Sequence, residues 1–136
     1  MASEYGFGID LRLPYEQAIA ATTEALKAEG FGVLTTIDVQ RTLHEKLGVE
    51  MEPYTILGAC NPPLAHRALS EDREIGLLLP CNVVVRATET GSRVDVVDPQ
   101  AMMGIVRNSA IDSVALEARQ RLQRVAEGLA ARERTS

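Results

Sequence analysis

The fold class this sequence predicts is α+β, a mostly antiparallel sheet with helices packed on one face. Three observations predict it. Short β-branched segments alternate with helical ones in the order β-α-β-(α)-β-α-β-β-α. Two strands flank Glu89-Thr-Gly-Ser92, a hairpin signal that joins antiparallel neighbours. One long amphipathic segment closes the chain.

Each element has a local reason. Tyr5, Phe7, Ile9 and Leu11 alternate with polar or small residues, the pattern of a half-buried strand. Pro14 opens a helix, where its missing N–H costs nothing. Tyr15, Ile19, Thr22 or Thr23, and Leu26 then recur at helical spacing until Gly30 stops them. Phe31 to Asp38 is β-branched and reads as a second strand. Asp38 caps a short helix over Val39–Leu47, ended by Gly48.

Glu52 to Cys60 reads as a third strand, and Pro62-Pro63 opens a helix reaching Glu71. The apolar run Ile75 to Leu79 is broken by Pro80. Cys81 to Thr88 is the clearest strand, and Arg93 to Asp98 returns beside it. Met102-Met103-Gly104 falls in a connection without a predicted form. Asn108-Ser109 caps the last helix, with Asp112 as a capping-box partner. Ile111, Val114, Ala118, Leu122, Val125 and Leu129 make its apolar stripe. The tail from Arg132 to Ser136 is expected to fray.

Composition bounds the rest. With 136 residues, residues 1–136 are expected to form a single domain. Aromatics are only 4 % with no Trp, so Leu, Val, Ile and Ala must build the core. Fourteen basic against 19 acidic groups leave a net charge of −5. An acidic chain repels polyphosphate, so nucleic-acid partners are disfavoured. The six Arg of residues 107–136 against four acids read as a solvated helix face. The first 20 residues predict no signal peptide, and no apolar run is long enough for a membrane span. A cytoplasmic location with reduced thiols is therefore expected.

The blocks Tyr54-Thr-Ile-Leu-Gly-Ala-Cys-Asn-Pro62, Ile75-Gly-Leu-Leu-Leu-Pro-Cys-Asn-Val-Val-Val85 and Val96-Val-Asp-Pro99 with Met102 resemble the domain-of-unknown-function 302 family. The resemblance covers nearly the whole chain. It implies a small bacterial or archaeal α+β domain with the TATA-binding-protein-like topology β-α-β4-α, often dimeric. It implies no established activity. Likeness to a DNA-binding fold does not carry DNA binding with it.

The chemistry-bearing residues are few. Cys60-Asn61 ends one strand and Cys81-Asn82 begins another, so antiparallel pairing would bring both thiols to one rim of the sheet. Two thiols there could form a reversible disulfide or hold a soft metal, with His66 and Met102 or Met103 as further ligands. A position just before a helix N-terminus would lower the Cys60 pKa. Against this, buried Cys often serves as a small hydrophobe, and no CxxC pair is present. Asn61 before Pro62 fits a turn or cap, and Asn82 fits a loop hydrogen bond. His44 and His66 read as surface residues of short helices, and Glu71, Asp72 and Glu74 as a solvated turn.

No Ser-His-Asp spacing, nucleophile elbow or phosphate loop is visible, so classical catalytic machinery is not expected and no cofactor is named. The leading expectation is a homodimeric ligand-binding or interaction module taking a small molecule or a metal, with apolar side chains on both sheet faces favouring a two-fold dimer. The alternative is a thiol-redox or soft-metal protein using Cys60 and Cys81. Sequence also predicts a sheet without exposed aromatics for base stacking.

Overall fold

The computed structural model describes residues 3–135, apart from the side chains of Arg134 and Thr135. Five strands, β1 (Gly6–Leu11), β2 (Gly32–Asp38), β3 (Tyr54–Cys60), β4 (Cys81–Thr88) and β5 (Gly91–Val97), form one antiparallel sheet in the order β1-β5-β4-β3-β2. This is the β-α-β4-α arrangement with short helices in its connections. The helices are α1 (Tyr15–Ala28), α2 (Val39–Leu47), α3 (Pro62–Glu71), α4 (Pro99–Met103) and α5 (Ser109–Thr135), and a 3-10 turn spans Arg73–Leu78.

One face of the sheet is the core. Leu57, Ala59, Val83, Val85, Val94 and Val96 alternate inward along the central strands and are fully or almost fully buried. α1 and α5 lie against them, and α3 and α4 pack on α5. The predicted stripe of α5 is all buried: Ile111, Val114, Ala118, Leu122, Val125 and Leu129. Burial of that face, more than propensity, holds so long a helix in place. Phe7 shares the inner side, with the Arg119 guanidinium 5.8 Å from its ring centre.

The opposite face follows from the same register. Ile37, Ile56, Val84, Asp95 and Gly8 align across all five strands, and Tyr54, Arg86, Arg93 and Asp10 form the next row. Charges interlock along it, with Arg93 3.0 Å from Asp95 and 3.3 Å from Asp10. Gly8 makes that possible, because a Cβ there would strike the Asp95 carboxylate and the Arg93 guanidinium. Close approach, not turn geometry, requires this glycine.

Two expectations are revised, at Tyr5 and at the tail, and two segments without a predicted form gain one. Alternation groups Tyr5 with the buried face, but Tyr5 is 71 % exposed, because pairing of β1 begins only at Gly6. The run Ile75–Leu79 becomes the end of the 3-10 turn, which buries Ile75 and leaves Leu77 exposed. Met102 and Met103 end α4, a one-turn helix capped by Asp98. The tail is helical through Thr135, tied by Arg132 to Glu24 at 3.3 Å and by the Arg12 N–H donating to Glu133 at 2.6 Å. Ser136 lies outside the described residues.

Candidate functional site

Cys60 and Cys81 sit at one rim of the sheet, and strand alternation directs their side chains to opposite faces. β3 and β4 are antiparallel with Ala59 opposite Cys81, so Cys60 and Cys81 are diagonal neighbours across the pair. Both border one cavity of about 30 Å³, with Met103, Asn61, Leu64 and Pro80 among its walls. Cys81 is buried and Cys60 half-buried, and neither is in a disulfide.

Burial sets their chemistry. It pushes the Cys60 thiol up, and it pushes the Cys81 thiol up to about 11 with the neighbouring Cys60 charge adding. The lowering expected at Cys60 from the helix end is not seen; burial, which disfavours the thiolate, moves it the other way. Both residues are thiols, not thiolates, at neutral pH.

Asn61 is occupied as a structural joint. It is buried and caps α3, its Oδ1 accepting from the Leu64 N–H at 3.2 Å, while its Nδ2 donates to the Glu29 carbonyl at 3.4 Å. The same carbonyl accepts from Arg121 at 3.2 Å. Gly30 follows with φ +83, and a Cβ there would meet Asn61 Nδ2 at 2.9 Å. The end of α1, the start of α3 and the middle of α5 thus converge behind the cavity. Nearby, Arg67 and Arg121 both donate to Glu117, whose carboxyl is held below its ordinary range chiefly by the Arg67 bond.

The remaining candidates lie elsewhere. His66 is on the exposed side of α3 and does not border the cavity. Met102 does not border this cavity and is exposed; its neighbour Met103 borders it and is 3 % exposed. Spacing alone does not separate these adjacent residues, since only docking of α4 on α5 decides which turns inward. Among the described residues, no group of at least three His, Cys, Asp or Glu converges on a possible metal position.

Asn82 and Met102 instead line a second, open groove of about 520 Å³ on the outer sheet face. Tyr5, Tyr54, Val84, Val97, Arg93 and Asp95 share it. Sequence reasoning passed over Tyr54, Arg93 and Asp95, although strand alternation puts Arg93 and Asp95 on the face opposite Val94 and Val96. Of the two tyrosines, Tyr54 is half-buried and the exposed Tyr5 precedes the first paired residue of β1. Apolar walls with a few polar groups are the ordinary make-up of a small-molecule site.

No helix among the described residues is long and apolar enough to cross a membrane. The sequence profile described as Domain of unknown function DUF302 matches residues 7–129. The fold is similar to the crystal structure of an uncharacterized conserved DUF302 protein from Bacillus stearothermophilus, with 30 % identity and a TM-score of 0.85 over 93 % of this chain and 99 % of that one. No curated protein matches the chain.

Proposed function

Since the chain belongs to the domain-of-unknown-function family DUF302, whose description carries no activity, we propose from geometry that it is a homodimeric ligand-binding module working through the outer face of its sheet. The observation that carries this reading is the open groove of about 520 Å³, where Asn82, Tyr54, Arg93 and Asp95 converge beside Val84, Val97 and Met102. The groove suits a small amphipathic molecule with a flat apolar body and a hydrogen-bonding head. Arg93 is already paired with two carboxylates, so the face offers a neutral, polarised floor rather than a cationic trap. With the chain's −5 charge, this disfavours nucleic acid.

The dimer rests on the other end of the sheet. β2 is an edge strand whose only partner is β3, and Leu34 is 69 % exposed on it. Ile37, Leu47 and Val49 are exposed beside it, and α2 buries none of its residues. An unpaired, β-branched edge is a template for another strand. An antiparallel edge is also self-complementary under a two-fold axis, so a second copy of the chain fits it.

Light scattering at micromolar concentration tests the dimer. The wild type is expected at twice the chain mass, and Leu34→Lys with Ile37→Lys at the chain mass with unchanged circular dichroism. A wild-type monomer ends the dimeric part. A thermal-shift screen of small aromatic and aliphatic amides and acids tests the groove. Stabilising hits should be lost in Val84→Arg, which fills the floor. Hits that survive that change place binding elsewhere, and turnover of any hit removes the non-catalytic reading.

A further inference from the structure

We propose that the ligand of the outer groove is a planar primary carboxamide, that carboxylates are rejected, and that Asp95 makes the distinction; this rests on the groove being a binding site. The antiparallel register places the groups. Val84 stands opposite both Ile56 and Asp95, and Tyr54, Asn82 and Val97 each lie two residues along a strand from that row. Strand alternation therefore turns all of them to the outer face. Gly8, opposite Asp95 on β1, adds no side chain, and the Asp95 carboxylate and Arg93 guanidinium fill the space a Cβ would take.

Hydrogen-bonding capacity selects the ligand. Arg93 borders the groove but is committed: its Nε donates to Asp95 Oδ1 at 3.0 Å, and its Nη1 lies 3.3 Å from Asp10. Asp95 Oδ2 is 4.0 Å from Arg86 Nε, beyond hydrogen-bond reach. Among the described residues, the Tyr54 hydroxyl and the Asn82 amide have no side-chain hydrogen bond. Asp95 Oδ2 and Asn82 Oδ1 can only accept, Asn82 Nδ2 can only donate, and the Tyr54 hydroxyl does either. The strongest demand is thus an anionic oxygen in need of a donor. An amide N–H meets it with a charge-assisted bond, roughly twice as strong as a neutral one. The carbonyl of the same amide accepts from Asn82 or Tyr54.

A carboxylate ligand has no such partner. Its charge would face Asp95, while Arg86, the neighbouring cation on this face, does not border the groove and is itself paired with Asp95. Like charges brought together in a partly desolvated site cost affinity. The body of the ligand is set by Val84, Val97 and Met102, with the half-buried Tyr54 ring beside them. The groove volume of about 520 Å³ falls within the roughly 300–1,000 Å³ of small-molecule sites, so a fused two-ring body fits.

The test compares three probes that share one ring system: naphthalene carboxamide, its methyl ester and the naphthalene carboxylate. Each is titrated into the full, isotope-labelled chain, and affinity is read from the backbone amide signals of Val84 and Val97. The carboxamide should bind at least roughly tenfold more tightly than either of the others, the value of one hydrogen bond to a charged group. Asp95→Asn keeps the shape of the side chain and supplies a donor, so it should remove the advantage over the carboxylate. Circular dichroism keeps folding separate from binding, and the order of the three probes on the wild type decides the proposal even if Asp95→Asn does not fold. An ester that binds as well as the carboxamide overturns the proposal and leaves the groove a binding site. A carboxylate that binds as well or better does the same, and assigns recognition to Arg86. An advantage that survives in folded Asp95→Asn also overturns it. If no probe moves the Val84 and Val97 signals, the groove itself falls as a binding site, and the proposal with it.

Discussion

Removing the Asn61 side chain separates a structural joint from a ligand-binding residue. In Asn61→Ala the cap of α3 is lost, and a cap of this kind contributes about 1 kcal/mol, within roughly 0.5–2 kcal/mol. The long 3.4 Å bond to the Glu29 carbonyl is lost as well, about 0.5 kcal/mol at the low end for a neutral pair. The full penalty for an orphaned acceptor does not follow, because Arg121 still donates to that carbonyl at 3.2 Å. The total is about 1.5–2 kcal/mol, or a melting temperature lower by roughly 6–8 °C at about 4 °C per kcal/mol. Asn61→Ser keeps a capping oxygen but not the reach to Glu29, so it should lose about a third as much. Urea unfolding followed by circular dichroism measures both. A loss under about 0.5 kcal/mol in Asn61→Ala would refute the joint, as would a serine variant no more stable than the alanine one.

Other expectations follow from the same geometry. Cys81 keeps its proton in the fold to about pH 11, against an ordinary 9.0. The folded state therefore binds more protons above pH 9, and the contribution present below that value is lost as pH rises toward 11. Stability should fall by roughly 2–3 kcal/mol more in the wild type than in Cys81→Ala across that window, measured as urea midpoints at stepped pH. In native protein near pH 8, a thiol reagent should label Cys60 before Cys81, and denaturant should make the two equivalent; a faster Cys81 contradicts the burial order. Gly8→Val should cost about 1–3 kcal/mol by forcing the Arg93–Asp95 pair off β1, seen in thermal melts. Leu122→Ala, at a fully buried core position, should cost about 2–5 kcal/mol, and a value near zero would mean that α5 does not anchor the core.

What the sequence by itself determined is the five strands, the helices α1, α2, α3 and α5, the antiparallel sheet and the buried stripe of α5. Alternation in Val83, Val85, Val94 and Val96 and the stripe from Ile111 to Leu129 are local patterns, and local patterns survive folding when one face is buried. The shared rim of Cys60 and Cys81 was legible too, because neighbouring antiparallel strands must bring the end of one beside the start of the next. Tertiary structure decided everything that needs a third partner. Docking of α4 buried Met103 and left Met102 exposed, and burial raises the Cys60 thiol. The groove gathers Tyr54, Asn82 and Arg93 from three strands. No window along the chain contains such a convergence, because register and helix docking are set by the whole core rather than by any one segment.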